Sequence, residues 1–138
     1  MFEKIVVAID ESEHADKVLE AVAELAAKFG SDLRVVHVLE TGFIGKAGMV
    51  NLENADDAHK IVSEGVAYFE GKGLKASGNV RAGLHGRLAV EINDEAHTFG
   101  AQMIVLGSRG LTDLEGLFVG STTHRLMHIT DLPVLVIP

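Results

Sequence analysis

Apolar residues fall into two kinds of pattern along this chain. In Lys4 to Asp10, KIVVAID, and in Met103 to Leu106, MIVL, they run almost without a break and include β-branched side chains. Runs of this length are the mark of a parallel strand covered on both faces. Leu33 to Leu39, LRVVHVL, and Val134 to Ile137, VLVI, are of the same kind. Between them the apolar positions return every three or four residues. Ala15, Val18, Leu19, Val22, Leu25, Ala26 and Phe29 form one such stripe, with Ser12 as a candidate cap, Glu13 suited to the first turn, and Gly30 as the stop. Ala58, Ile61, Val62, Val66 and Phe69 form a second, over Glu53 to about Lys72, ended by Gly71 and Gly73.

A weaker strand is expected from Leu74 to Ala82, where polar residues and Gly78 point to a place near a sheet edge. Leu88, Ile92, Ala96 and Phe99 predict a third helix over about 87–99, closed by Gly100. Ser121 to about Ile129 reads as a short fourth helix, broken by Asp131-Leu132-Pro133. Strands alternating with helices give an α/β fold: an open five-stranded parallel sheet with helices on both faces, in a single domain over residues 1–138. Thr41 to Leu52, TGFIGKAGMVNL, fits neither pattern and reads as a loop or lid. Its Phe43, Ile44, Met49 and Val50 are expected to pack over a ligand, against a partner, or onto the local core.

Composition narrows the function. A chain of 138 residues that is 47% hydrophobic suits one compact unit with a sizeable core. A formal net charge of -8 disfavours a nucleic-acid or anionic-membrane surface, both of which need a basic face. A small anionic ligand needs only local donors and is not disfavoured. Cysteine is absent, which removes disulfide and thiolate chemistry. No apolar run approaches the roughly 20 residues that span a bilayer, and the first residues enter a strand pattern at once. A soluble, cytoplasmic protein is expected.

The stretch with most chemical content is MIVLGSRGLTDLEGLFVGST, Met103 to Thr122. A buried strand ends at Gly107, the chain turns again at Gly110, and Gly120-Ser121-Thr122 opens the last helix. Glycines let the backbone approach a phosphate closely, and a helix N-terminus offers unpaired N–H groups with a positive dipole end. A Gly-x2-Gly pair alone is common at strand ends, where such glycines serve as tight turns. The full spacing, Gly107-x2-Gly110-x9-Gly120-Ser121, is far more specific. It resembles the adenine-nucleotide motif of the universal stress protein family. The likeness is not local, because MFEKIVVAID, LRVVHVLE, IVLGSRG and the closing PVLVIP fall in that family's order.

The resemblance implies a strand order of 3-2-1-4-5, with its reversal between the first and fourth strands, where open parallel sheets bind ligands. It implies that Ala8, Ile9 and Asp10 line the nucleoside end, Asp10 accepting from a ribose hydroxyl. A capping role for Asp10 at the next helix is the alternative, and both can hold. Val38 matches a position whose backbone contacts adenine. Leu106, Gly107, Gly110, Gly120, Ser121 and Thr122 match contacts to ribose and phosphate. Arg109 sits inside the loop and either pairs with phosphate or stays solvated. The implied ligand is ATP, or ADP or AMP.

Asp113 and Glu115 stand in the loop where many relatives carry neutral or basic residues. A like charge about 7 Å from phosphate costs only roughly 0.6 kcal/mol at water's dielectric. A bridging divalent ion such as Mg2+ is compatible with them. The resemblance also implies a homodimer paired through the apolar C-terminal strand; shielding of that edge by a helix and the chain end is the alternative.

Other chemistries lack their signatures. Neither GxxxxGK[ST], GxGxxG nor GxSxG occurs. His124 and His128 lie four apart, a spacing that can bind zinc, but no glutamate or third ligand accompanies them and no metal is expected there. His37, alternating with apolar residues, reads as a satisfied interior histidine. The expected function is a nucleotide-binding sensor or switch of the stress response. A slow adenine-nucleotide hydrolase or transferase is the rival, with hydrolysis at most weak because the loop has no lysine to neutralise a γ-phosphate.

Overall fold

In the computed structural model, which describes residues 1–10, 15–107 and 120–138, the apolar runs become the centre of one sheet. Strand β1, Lys4–Ala8, lies between β2, Asp32–Ile44, and β5, Met103–Gly107, parallel to both. Strand β4, Ala76–Leu84, runs parallel to β2 on its far side, and β6, Val134–Ile137, runs parallel to β5. The five expected parallel strands are all present, and in chain order they give 3-2-1-4-5.

Both faces of the central strands are buried, which is why their sequences do not alternate with polar residues. Ile5, Val7, Leu33, Val35, Met103 and Val105 point to one face, under helices α1, Ala15–Phe29, and α2, Ala55–Gly71. Val6, Val36, Val38, Ile104 and Leu106 point to the other, under α3, Leu88–Phe99, and α4, Ser121–Ile129. Asn54 caps α2, its side chain accepting from the Asp56 and Asp57 amides at 2.8 and 3.2 Å. The expected cap and first turn of α1 at Ser12 and Glu13 lie outside the described residues. No described helix is long and apolar enough to cross a membrane.

Gly78 does sit on an edge strand, yet its need for glycine comes from the layer above. A Cβ there would collide with Val62 and lie 3.0 Å from Val66, both on α2. The glycine lets that helix settle directly onto β4.

One element departs from the expectation. Residues 41–52 form no free lid: β2 continues to Ile44, turns through a short 3-10 segment, Gly45–Ala47, and returns as an antiparallel strand β3, Gly48–Asn51. Gly45 and Gly48 take positive φ, 45° and 77°, at the two ends of the turn. The Ile9 amide donates to the Val36 carbonyl, and the Leu52 amide to the Glu40 carbonyl. Groups four residues apart on a strand face the same edge, so β3 occupies the β1 edge of β2, beyond the end of β1. Phe43, Ile44 and Met49 remain 69%, 57% and 54% exposed, so they do not cover the core of this chain.

A closed polar cluster pins α3 to the sheet. The Glu95 carboxylate, with 1% of its side chain exposed, accepts from Arg34 at 2.7 Å, Asn79 at 2.7 Å and Arg81 at 3.1 Å. Burial by itself pushes the Glu95 carboxyl up, but these three donors outweigh it and hold the group below its ordinary value. Arg34 also donates to Ser77 and stacks over Phe99, 4.7 Å from the ring centre.

Candidate functional site

Strand register brings the sequence-predicted residues to one end of the sheet. Ala8 and Leu106 are direct partners across β1 and β5, and Ala8 also faces Val36 on β2. Ile9 and Asp10 follow Ala8 past the strand end, Ile9 buried and Asp10 exposed. Val38 lies two residues beyond Val36, its side chain buried on the α3 face, so only its backbone is suited to a ligand at the sheet end. Strand order reverses between β1 and β5, and this is the crevice that parallel sheets leave open.

Helix α4 starts at the same place. Thr123 Oγ1 donates to the Gly107 carbonyl at 3.1 Å, which ties the first turn of α4 to the last residue of β5. Gly120 occupies the cap position and has no side chain to satisfy the first-turn amides. Those donors and the positive dipole end therefore sit next to Gly107, with Ser121 exposed and Thr122 half-buried beside them. Arg109 and Gly110, with the loop between Gly107 and Gly120, lie outside the described residues, as do Asp113 and Glu115.

Beyond β1 the backbone is held by a clasp that spacing alone did not reveal. His37 is buried, its Nδ1 donating to the Ile9 carbonyl at 2.7 Å and its Nε2 lying 2.9 and 3.1 Å from the Glu53 carboxylate oxygens. Glu53 also accepts from the Glu40 amide at 3.1 Å. One imidazole thus locks the residue before Asp10 to the base of the β2–β3 hairpin. The expectation of a satisfied interior histidine holds. The participation of Glu53 left only a faint trace, an acidic residue just ahead of a helix cap.

A cavity of about 530 Å³ opens beside this clasp, between α1 and α2, over Ile9, Asp10, Leu19, Ile61 and Tyr68. Among the described residues, Asp16, Asp57 and Glu64 line it with a single cation, Lys60. Phosphate is repelled by that carboxylate rim, whereas an uncharged nucleoside is not. The two ends of the crevice are therefore electrostatically distinct: acidic beyond β1, donor-rich beyond β5.

Comparison with known proteins gives this geometry a context. Residues 1–138 match the family model described as the universal stress protein family. The chain is 29% identical over 147 aligned residues to universal stress protein YxiE of Bacillus subtilis, covering 99% of both chains. It also resembles the solved structure of a universal stress protein from Archaeoglobus fulgidus, at 26% identity, TM-score 0.78 and 100% coverage of both chains. A structure of the Archaeoglobus fulgidus universal stress protein in complex with dAMP matches at 26% identity, TM-score 0.73 and 100% coverage of both chains.

Proposed function

Since this chain belongs to the universal stress protein family, we propose that it binds ATP, or ADP or AMP, in the crevice beyond β1 and β5 and acts as a nucleotide-dependent switch of the stress response. The observation behind this is the convergence on one sheet end of the Ala8–Leu106 register and the Thr123–Gly107 hydrogen bond. Support for an adenine nucleotide comes from the relative whose structure is a complex with dAMP.

In this proposal Asp10 accepts from the ribose, a charge-assisted bond that lowers the cost of desolvating the carboxylate. The backbone at Val38 reads adenine, and Ala8 and Ile9 form the floor of the nucleoside end. The phosphates turn away from the acidic α1–α2 side toward Leu106, Gly107 and the first turn of α4. There the amides after Gly120 and the hydroxyls of Ser121 and Thr122 donate to them, and Arg109 and Gly110 complete the cradle. Asp113 and Glu115 would be the residues to hold a Mg2+ ion, which would offset the phosphate charge. The occupied loop alters a homodimer built by pairing β6 across a two-fold axis, in the cytoplasm. Among the described strands β6 pairs only with β5, which leaves its other edge for that role.

The direct test is to purify the protein, denature it, and identify any released small molecule by chromatography and mass. An adenine nucleotide near one per chain supports the proposal. If none is carried and none is taken up on incubation with millimolar ATP, the proposal fails. Light scattering at micromolar concentration tests the dimer separately, and a purely monomeric solution would remove it.

A further inference from the structure

We propose that His124 and His128 form an open two-imidazole site for a borderline divalent transition-metal cation, zinc being the test ion. Both side chains are exposed on α4, one helical turn apart. Their Nε2 atoms lie 3.2 Å from each other, with ring centres 4.6 Å apart and ring planes at 85°. In a hydrogen bond between them one Nε2–H donates to the other Nε2, so both nitrogens already face the same small space. On metal binding the Nε2 proton of the donor ring is released while a proton is taken up at its own Nδ1. Both rings then stay neutral and both Nε2 lone pairs face the ion. Two zinc–nitrogen bonds of about 2.0–2.1 Å at a near-tetrahedral angle span roughly 3.3 Å, close to the separation already present.

The absence, among the described residues, of any group of three ligating side chains leaves them no closed structural zinc site. It does not exclude an open site completed by water, the arrangement in which a metal keeps exchangeable positions. Imidazole selects late first-row ions over Mg2+ and Ca2+, so this site differs in ion class from one bridging nucleotide phosphates. Three other described histidines are engaged differently. His37 joins a carbonyl to a carboxylate, His97 lies between the Asn93 carbonyl and Asp131, and His85 pairs with Glu40. The net charge of -8 favours cation approach to the whole surface.

The test uses the full chain without an affinity tag and without nucleotide, titrated calorimetrically with ZnCl2 and, separately, MgCl2. One Zn2+ per chain in the micromolar range is expected, with no heat from Mg2+. His124→Ala and His128→Ala should each weaken Zn2+ binding by at least about tenfold, since even outer-shell changes cost that much at metal sites. His97→Ala should leave it unchanged. Both rings are on the surface, so unchanged far-ultraviolet circular dichroism should accompany every variant. No binding by the parent protein, equal binding by the His124 and His128 variants, or loss in His97→Ala would overturn the proposal. Nucleotide is absent throughout, so none of these results bears on the crevice.

Discussion

The chain holds two polar constellations of opposite character, one under α3 and one at the carboxyl end of the sheet. Under α3, Glu95 is enclosed, and three donors from β2 and β4 converge on it. At the sheet end, His37 and Glu53 hold backbone, and Asp10 and Ser121 are exposed beside a cavity and a helix start. A polar cluster that closes on itself builds the fold. One that fixes the main chain and leaves other groups outward prepares a place for a ligand.

If that contrast is correct, the largest effect of a single change should fall on stability and come from α3. Glu95→Ala leaves Arg34 and Arg81 without their shared carboxylate and should lower unfolding free energy by about 3–5 kcal/mol, as for other broken buried ion pairs. Urea denaturation measures this, and a loss under about 1 kcal/mol would show the cluster to be incidental. The pH dependence has a definite sign. With its pKa lowered in the folded state, Glu95 contributes stability that is present above its ordinary value of 4.5 and is lost as pH falls through the folded value.

At the other constellation the largest effect should be on binding. Gly120 has φ -58° and ψ 155°, a conformation open to any residue, so Gly120→Val should fold normally. Its side chain would stand where the phosphates approach, and ATP affinity should fall by at least about a hundredfold, roughly 2.7 kcal/mol. Unchanged affinity would remove the start of α4 from the site. Asp10→Ala should cost less, about tenfold to a hundredfold, the worth of one hydrogen bond to a charged group at roughly 1.5–3 kcal/mol. Its thermal stability should stay close to that of the parent.

The smallest effect lies between the two regions. His97 on α3 has a raised pKa, first because its ring donates to the Asn93 carbonyl and then because Asp131 lies beside it. Its contribution is present below the ordinary histidine pKa and is lost as pH rises through the higher folded value. A shallow decline in melting temperature from about pH 6 to 8 should flatten in His97→Gln. An identical decline in that variant would assign it elsewhere.

Much of this was legible in the chain itself. Runs such as KIVVAID and MIVL read as strands covered on both sides, and the structure has them paired at the centre. Residues 41–52 read only as a loop or lid, and the hairpin was not visible, because Phe43, Ile44 and Met49 face solvent and leave no alternating pattern to read. Glu95 was hidden for the reverse reason. It occupies an inward position three residues after Ile92, where periodicity expects an apolar side chain, and its partners lie on β2 and β4. The His37–Glu53 clasp joins residues 16 apart through a fold that single-residue reasoning does not supply. For the candidate site, the glycine spacing pointed to the end of β5 and the start of α4. The meeting of that end with Asp10 depends on strand order, which residue patterns alone do not encode.

The central question is whether main-chain donors after Gly120 receive an adenylate phosphate. Isothermal calorimetry of the nucleotide-free protein with ATP, ADP and AMP, each with and without Mg2+, tests this most directly. The expected result is one site per chain, with affinity lost in Gly120→Val and retained in Glu95→Gln at temperatures where that variant is folded. Flat traces with all three nucleotides at millimolar concentration would contradict it.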